Sequence, residues 1–220
     1  MYKTKDLLDL SHTTASTFLE QYEYPWMAIS EIKNEILKQI ENLDKSEYKE
    51  IKENVWVHNS AKIFDSAYID GPTIIGKDAE VRQCAFIRGS VLIGEGSVVG
   101  NSCEVKNAII FDNAEIPHFN YVGDSILGFH AHMGAGSITS NLRADRKNVV
   151  VKNGTEKIET GLRKMGAILG DYAEIGCNAV LNPGVVVGRH AMIFPTACVR
   201  GTVPENAIFR NDGAIVEKEG

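Results

Sequence analysis

An aliphatic residue stands at every sixth position over a long stretch of this chain: Val57, Ile63, Ile69, Ile75, Val81, Ile87, Ile93, Val99 and Val105. Neither an α-helix, with its period of 3.6, nor an alternating strand, with its period of two, produces that pattern. Two positions before each next aliphatic the side chain is mostly small, as in Ala61, Ala67, Thr73, Ala79, Ala85, Ser97 and Cys103. Both rules return at Leu169, Ile175, Leu181, Val187, Ile193 and Val199, with Ala173, Ala179, Val185, Ala191 and Ala197. Three short strands then make one turn of a prism, the aliphatic side chain pointing inward and the small one letting the chain round a corner. The spacing predicts a mainly β fold, a parallel β-helix of about seven coils stacked at roughly 4.8 Å.

The glycines mark the limits of that region. All 20 lie at or after Gly71, while residues 1–50 are rich in Leu, Ile, Glu and Lys. Ile29, Ile32, Ile36, Ile40 and Leu43 form one helical stripe that Tyr24-Pro25-Trp26 introduces, and a weaker pattern predicts a helix from about Asp6 to Gln21. The expected organisation is an N-terminal helical segment (1–50), a β-helix (51–210) and a C-terminal tail (211–220). Within the prism the phase slips: Val105 to Ile110 and Val122 to Leu127 are steps of five, and residues 143–165 leave the pattern altogether. An Asn153-Gly154 turn between Val149-Val150-Val151 and Ile158 predicts a hairpin. It is expected as an extruded loop touching a ligand or a neighbouring subunit.

Composition removes several function classes. The net charge of −6 argues against nucleic acid as a partner. The acidic start MYKTKDLLDL lacks a signal peptide's apolar run, and no stretch approaches the length of a membrane span, which leaves a cytoplasmic expectation. The cysteines Cys84, Cys103, Cys177 and Cys198 form no C-x-x-C pair, so reduced packing residues are expected rather than a zinc site.

The phase breaks collect polar residues: His118, Asn120 and Tyr121 in PHFNYVGD, then His130 and His132, then MGAGSITSN ending at Asn141, followed by Arg143, Arg146 and Lys147. The stretch HFNYVGDSILGFHAHMGAGSITSNLRADRK resembles the acetyltransferase domain of the bifunctional enzyme that acetylates glucosamine-1-phosphate and then uridylylates it. It carries that family's H-x-x-Y-x-G-D and I/M-G-A-G-T/S-I-T-x-N motifs and the lysine six residues later. The resemblance implies a left-handed coil, a homotrimer whose grooves are shared by two subunits, acetyl-CoA as co-substrate and no metal. It assigns His118 as general base, Tyr121, Asn141 and Lys147 as amino-sugar contacts, and Arg88 and Lys106 as sugar-phosphate ligands. His132 stands where the family has a site Asn and is a further substrate candidate. Ala135, Cys177 and Pro195 fall at positions along the coenzyme groove.

The residue types suit that chemistry in their own right. An imidazole titrates near neutrality and can take a proton from an attacking amine, an effect worth roughly 10²- to 10⁴-fold. Arg and Lys grip phosphate, and a groove edged with backbone N–H groups can stabilise an oxyanion. The implied function is transfer of acetyl from acetyl-CoA to the amine of an amino-sugar phosphate or nucleotide-linked amino sugar. Leu142 stands where the family has Tyr, and the arm after Lys147 is longer. These departures motivate a second reading, a non-catalytic sugar-phosphate-binding scaffold or partner of a separate nucleotidyltransferase, docked through the N-terminal helices. His130 and His132, two apart on an extended segment, could also imitate a metal pair, although a zinc lyase on this fold would need an H-x-x-x-x-H spacing that is missing. Uridylyl transfer would need a glycine-rich nucleotide loop, and no glycine precedes residue 71.

Overall fold

A computed structural model describes residues 1–218. The six-residue period becomes a three-sided prism of parallel strands in which residues one coil apart, such as Lys62 and Glu80, are 18 positions apart. The first face begins with Val55–His58, Thr73–Ile75 and Val91–Ile93, the second with Lys62–Ile63 and Glu80–Val81, the third with Tyr68–Ile69 and Phe86–Ile87. On the third face the inward column runs Ile69, Ile87, Val105, Val122, Thr139, Leu181, Val199, one residue per coil, giving the seven coils expected. Thr139 replaces an aliphatic residue there, and its buried hydroxyl is satisfied by Gly123 N (3.0 Å) and Ser125 Oγ (3.1 Å).

The five-residue steps tighten corners; they extrude nothing. Where the preceding coil turns from third to first face through Gly89 and Ser90, the next two cross as continuous strands, Glu104–Ile110 and Tyr121–Leu127, bent at Asn107 (φ 45°) and Asp124 (φ 51°). Asn and Asp tolerate this left-handed conformation better than most residues because their short polar side chains bond locally.

The first face is buried on both sides. Its outward residues Ile74, Leu92, Ile109, Ile126, Ile168 and Val186 form a second apolar layer with Leu7, Phe18, Trp26, Ile29, Ile32 and Ile36. The N-terminal segment is thus a cover on its own prism, and these buried side chains are not a free surface for docking a separate enzyme. The stripe from Ile29 onward is a 3₁₀ stretch, Pro25–Glu31, running into the α-helix Ile32–Glu41. The helix expected from Asp6 to Gln21 is three short pieces, Thr4–Leu7, Leu10–His12 and Ser16–Leu19. Local side-chain bonds interrupt it, Asp9 Oδ1 accepting from Ser11 N and Thr13 Oγ1 from Ala15 N. Its backbone also bonds to the prism, Asp171 N donating to Leu7 O and Asp112 N to His12 O.

The arm follows the same logic. Val150–Asn153 and Glu156–Glu159 form the expected hairpin around Asn153-Gly154, but it lies back on the prism and does not project. Val149 and Val151 are buried in the first-face layer, and Lys152 O accepts from Thr202 Oγ1 at 2.8 Å. Antiparallel strands flank both ends of the prism: Tyr48–Lys52 pairs with Val55–His58, and Ile215–Glu217, within the segment expected as a tail, pairs with Ala207–Phe209. Among the described residues no helix is long and apolar enough to cross a membrane.

Of the cysteines only Cys103 is buried, at a small-residue corner position, where burial pushes its thiol up. Cys84, Cys177 and Cys198 are exposed, which corrects the packing role expected of them. Cys84 and Cys177 lie at corners, and Cys198 belongs to the outward row of the third face beside Val180.

Candidate active site

The third face, like the second, is left uncovered by its own chain, since the N-terminal segment and the arm pack on the first. Its outward row includes Tyr68, Phe86, Glu104, Tyr121, Ile138, Val180 and Cys198, of which none is fully buried. The candidate site residues fall along its two edges.

One edge, where the second face turns into the third, carries His118, Ala135, Cys177 and Pro195 on successive coils. Gly136 N donates to His118 O, Asn178 N to Ala135 O and Thr196 N to Cys177 O. His118 ends the strand Glu115–His118 with its side chain exposed. Its backbone is held by the buried Asn120, whose Oδ1 accepts from His118 N at 3.0 Å while its Nδ2 donates to Gly134 O at 2.8 Å. Between them Phe119 takes φ 54° and is 65% exposed, where neighbouring coils have Ser102 and Gly136. A bulky residue in that region is rare. Gly100, one coil below, is required by close approach: a Cβ there would sit 1.7 Å from Pro117 O. Among the described residues no side chain hydrogen-bonds the His118 imidazole, so the ring is free to meet a substrate.

The other edge, where the third face turns into the first, carries a polar cluster centred on Asp124, which is 5% exposed. Its carboxylate accepts from Lys106 Nζ (3.1 Å), Asn107 Nδ2 (2.9 Å) and Asn141 Nδ2. Asn141 Nδ2 also donates to Tyr121 Oη at 3.1 Å. Burial pushes the Tyr121 phenol up, with Asp124 and Glu104 adding to the effect, so the hydroxyl stays protonated and its own proton remains available to an acceptor. Gly123 makes the arrangement possible, since a Cβ there would stand 2.5 Å from Tyr121 Oη. Arg88 completes the edge through Glu104 (2.6 Å), the rung neighbour of Tyr121.

The fold therefore brings Arg88, Lys106, Tyr121 and Asn141 together on one edge, and His118 with Ala135, Cys177 and Pro195 on the other. Gly123 stands five positions after His118, so the edges of one chain lie up to ~16 Å apart at the rise of an extended strand. Two candidates stand apart. Lys147 is exposed on the arm, its N–H donating to Asp145 Oδ1 at 3.2 Å. His132 lies on the second face, its Nδ1 3.0 Å from Glu174 Oε2. The pairing of His130 with His132 fails because His130 takes φ 53° at a corner and stacks on Tyr172 (5.4 Å between ring centroids). Among the described residues no three His, Cys, Asp or Glu side chains are placed to share a metal ion.

Asp124 was legible as the last letter of H-x-x-Y-x-G-D, yet its role follows only from the stacking of Lys106, Asp124 and Asn141 on consecutive coils. Its consequence is electrostatic. Lys106 pairs with Asp124 and Arg88 with Glu104, so the edge expected to grip phosphate is internally neutral.

A model of the GMPPB C-terminal domain matches residues 69–159. The bifunctional protein GlmU of Methanococcus maripaludis strain C5 is 38% identical over 122 residues, 55% of this chain and 29% of that protein. A bifunctional sugar-1-phosphate nucleotidylyltransferase/acetyltransferase of Sulfurisphaera tokodaii is 36% identical over 174 residues, 71% of this chain and 43% of that protein. The chain thus spans less than half the length of these relatives. Among solved structures, the acetyltransferase domain of PglB from Neisseria gonorrhoeae matches 80% of this chain and 65% of its own at 17% identity and a TM-score of 0.41. The chain is a hexapeptide-repeat β-helix protein related to the bifunctional sugar-1-phosphate nucleotidylyltransferase/acetyltransferases, and it resembles their acetyltransferase domain.

Proposed function

We propose that this protein transfers acetyl from acetyl-CoA to the amine of an amino-sugar phosphate or nucleotide-linked amino sugar. The observation that carries the reading is the placement of His118, an exposed imidazole on the corner between the two uncovered faces, in line with Ala135, Cys177 and Pro195 on the following coils. The similarity to named acetyltransferases lends it independent support.

In this mechanism the coenzyme lies along the edge of Ala135, Cys177 and Pro195, and the acceptor's hydroxyls meet Tyr121 and Asn141. His118 removes a proton as the neutral amine attacks the thioester carbonyl. Collapse of the tetrahedral adduct breaks the C–S bond, and the thiolate leaves as a thiol on taking up the proton. Corner N–H groups facing the groove offer a place for the developing oxyanion.

The distance between the two edges of one chain suits a site shared between copies, the base edge of one subunit facing the acceptor edge of the next, as in the homotrimer that the family resemblance implies. The exposed Tyr68 and Phe86 on the third face fit the same arrangement.

The test is thiol release from acetyl-CoA with glucosamine-1-phosphate, glucosamine-6-phosphate and UDP-linked amino sugars as acceptors. Turnover with one class identifies the acceptor. Failure with all of them, together with no binding of CoA by calorimetry and retained sugar-phosphate binding, would leave the scaffold reading in its place.

A further inference from the structure

We propose that the anionic group of the acceptor is held in a basic cleft beneath the arm, by Arg200 and Lys152, and not by Arg88 and Lys106. The proposal deepens the acetyl-transfer reading and rests on it for the identity of the acceptor, though the cleft's affinity for anions is independent of turnover.

Three cations that border the acceptor edge and its continuation under the arm are already paired: Arg88 with Glu104, Lys106 with Asp124, and Arg143 with Asp145 at 2.7 Å. Lys106 is the least accessible of the cations, its side chain 18% exposed. To bind phosphate with Arg88 or Lys106 the substrate would have to compete with a carboxylate already in place. Among the described residues, neither Lys152 nor Arg200 lies within ion-pairing distance of a carboxylate, and both are exposed. They line one cleft of about 530 Å³, the place on this edge where a mobile anion meets uncompensated positive charge.

Position gives the source of the anion. Ser140 and Leu142 line the same cleft and flank Asn141, the residue tied to Tyr121 and Asp124. Ser140 N donates to Leu181 O and Asn182 N to Val199 O, so the corner climbs coil by coil from Asn141 to Arg200. Two coil spacings carry it about 10 Å along the axis. A phosphate or diphosphate attached to a sugar seated on Tyr121 and Asn141 extends into this cleft. The coenzyme residues Ala135, Cys177 and Pro195 line the opposite edge of the third face. Leu142, which replaces a polar family residue beside the sugar, here serves as an apolar wall, and the arm that supplies Lys152 is held on the prism by Thr202.

The test uses the full chain and two readouts. In the first, phenylglyoxal modification of Arg200 is followed by peptide mass spectrometry without ligand and with inorganic phosphate, inorganic pyrophosphate, glucosamine-1-phosphate, a UDP-linked amino sugar or CoA. The expected result is protection by the sugar phosphate or the sugar nucleotide, the stronger of the two distinguishing a monophosphate from a diphosphate acceptor, and weaker protection by the inorganic anions. In the second, calorimetry compares wild type with Lys152→Ala/Arg200→Ala. Affinity for the protecting sugar ligand should fall about tenfold to a hundredfold with CoA binding unchanged, the scale set by losing two charge-assisted contacts. Absence of protection by every anion overturns the proposal, as does protection by CoA alone with loss of CoA binding in the variant, which would give the cleft to the coenzyme. Protection by a sugar phosphate without turnover on any acceptor would uphold the cleft and remove acetyl transfer.

Discussion

Asp124 is the residue whose removal has the most calculable effect. It is almost fully buried and accepts three side-chain hydrogen bonds, one of them from the ammonium of Lys106. Truncating one partner of a buried, hydrogen-bonded ion pair costs about 3–5 kcal/mol, mostly because the other charge is left without compensation. Lys106 retains 18% exposure and can turn part of its head to water, which places Asp124→Ala near the lower end, about 3 kcal/mol. For a chain of this size that is a fall in Tm of roughly 6–12 °C, at about 2–4 °C per kcal/mol. If the loss comes from a stranded charge, Lys106→Met in the Asp124→Ala background should restore part of the stability, whereas Lys106→Met alone should destabilise by stranding Asp124. The assay is reversible denaturation of the four proteins as a double-mutant cycle. Additive losses, or an Asp124→Ala Tm within about 2 °C of wild type, would refute the assignment of Asp124 as the electrostatic centre of this edge.

Other consequences are more local. Gly123→Ala places a methyl against the Tyr121 hydroxyl and Asn141 amide; it should raise the acceptor KM with little change in the CoA affinity, read from steady-state kinetics beside calorimetry. Ile126→Ala empties a site between the prism and the N-terminal cover and should cost about 2–5 kcal/mol, measured by urea denaturation. The Arg143 guanidinium and the Lys147 N–H hold the Asp145 carboxyl down to about 2. A lowered folded value means that this interaction is present above the ordinary Asp range and is lost as pH falls through the folded value. The Lys147 amide resonance should therefore titrate near pH 2, and a midpoint near the ordinary Asp value would break the assignment. Asp171 runs the other way: burial, opposed by hydrogen bonds from Asp9 and Phe129 and by Arg189, raises its carboxyl, so its contribution to stability declines as pH rises from the unfolded Asp value through the folded one.

The coil itself was written in the sequence because inward residues are counted by the chain at a fixed interval. Val57, Ile75 and Ile93 need only the period to be found. The cover over the first face had a signal of the same kind that inward counting overlooks. Thr-Ile-Ile at 73–75, Val-Leu-Ile at 91–93, Ala-Ile-Ile at 108–110 and Val-Val-Val at 185–187 are continuous apolar runs, and a strand apolar on both sides is buried on both sides. The short pieces between Thr4 and Leu19 were less accessible, since their backbone bonds go to Asp171 and Asp112 far along the chain. At the site, motif matching found His118, Tyr121 and Asn141, but pairings such as Lys106 with Asp124 depend on a register that a five-residue step shifts by one. Charge compensation at Arg88 and Lys106 was for that reason invisible in the sequence, and with it the reason to look for the anion elsewhere.

His118 is proposed as the proton acceptor of an acetyl transfer from CoA. Its most direct test is the rate of thiol release from acetyl-CoA with the best acceptor of the panel, for wild type and His118→Ala, with circular dichroism and thermal unfolding recorded on both. Because His118 is exposed and its side chain bonds to no other described residue, the substitution should leave the spectrum and Tm in place while the rate falls by roughly 10²- to 10⁴-fold. An undiminished rate in a folded His118→Ala protein would contradict the account.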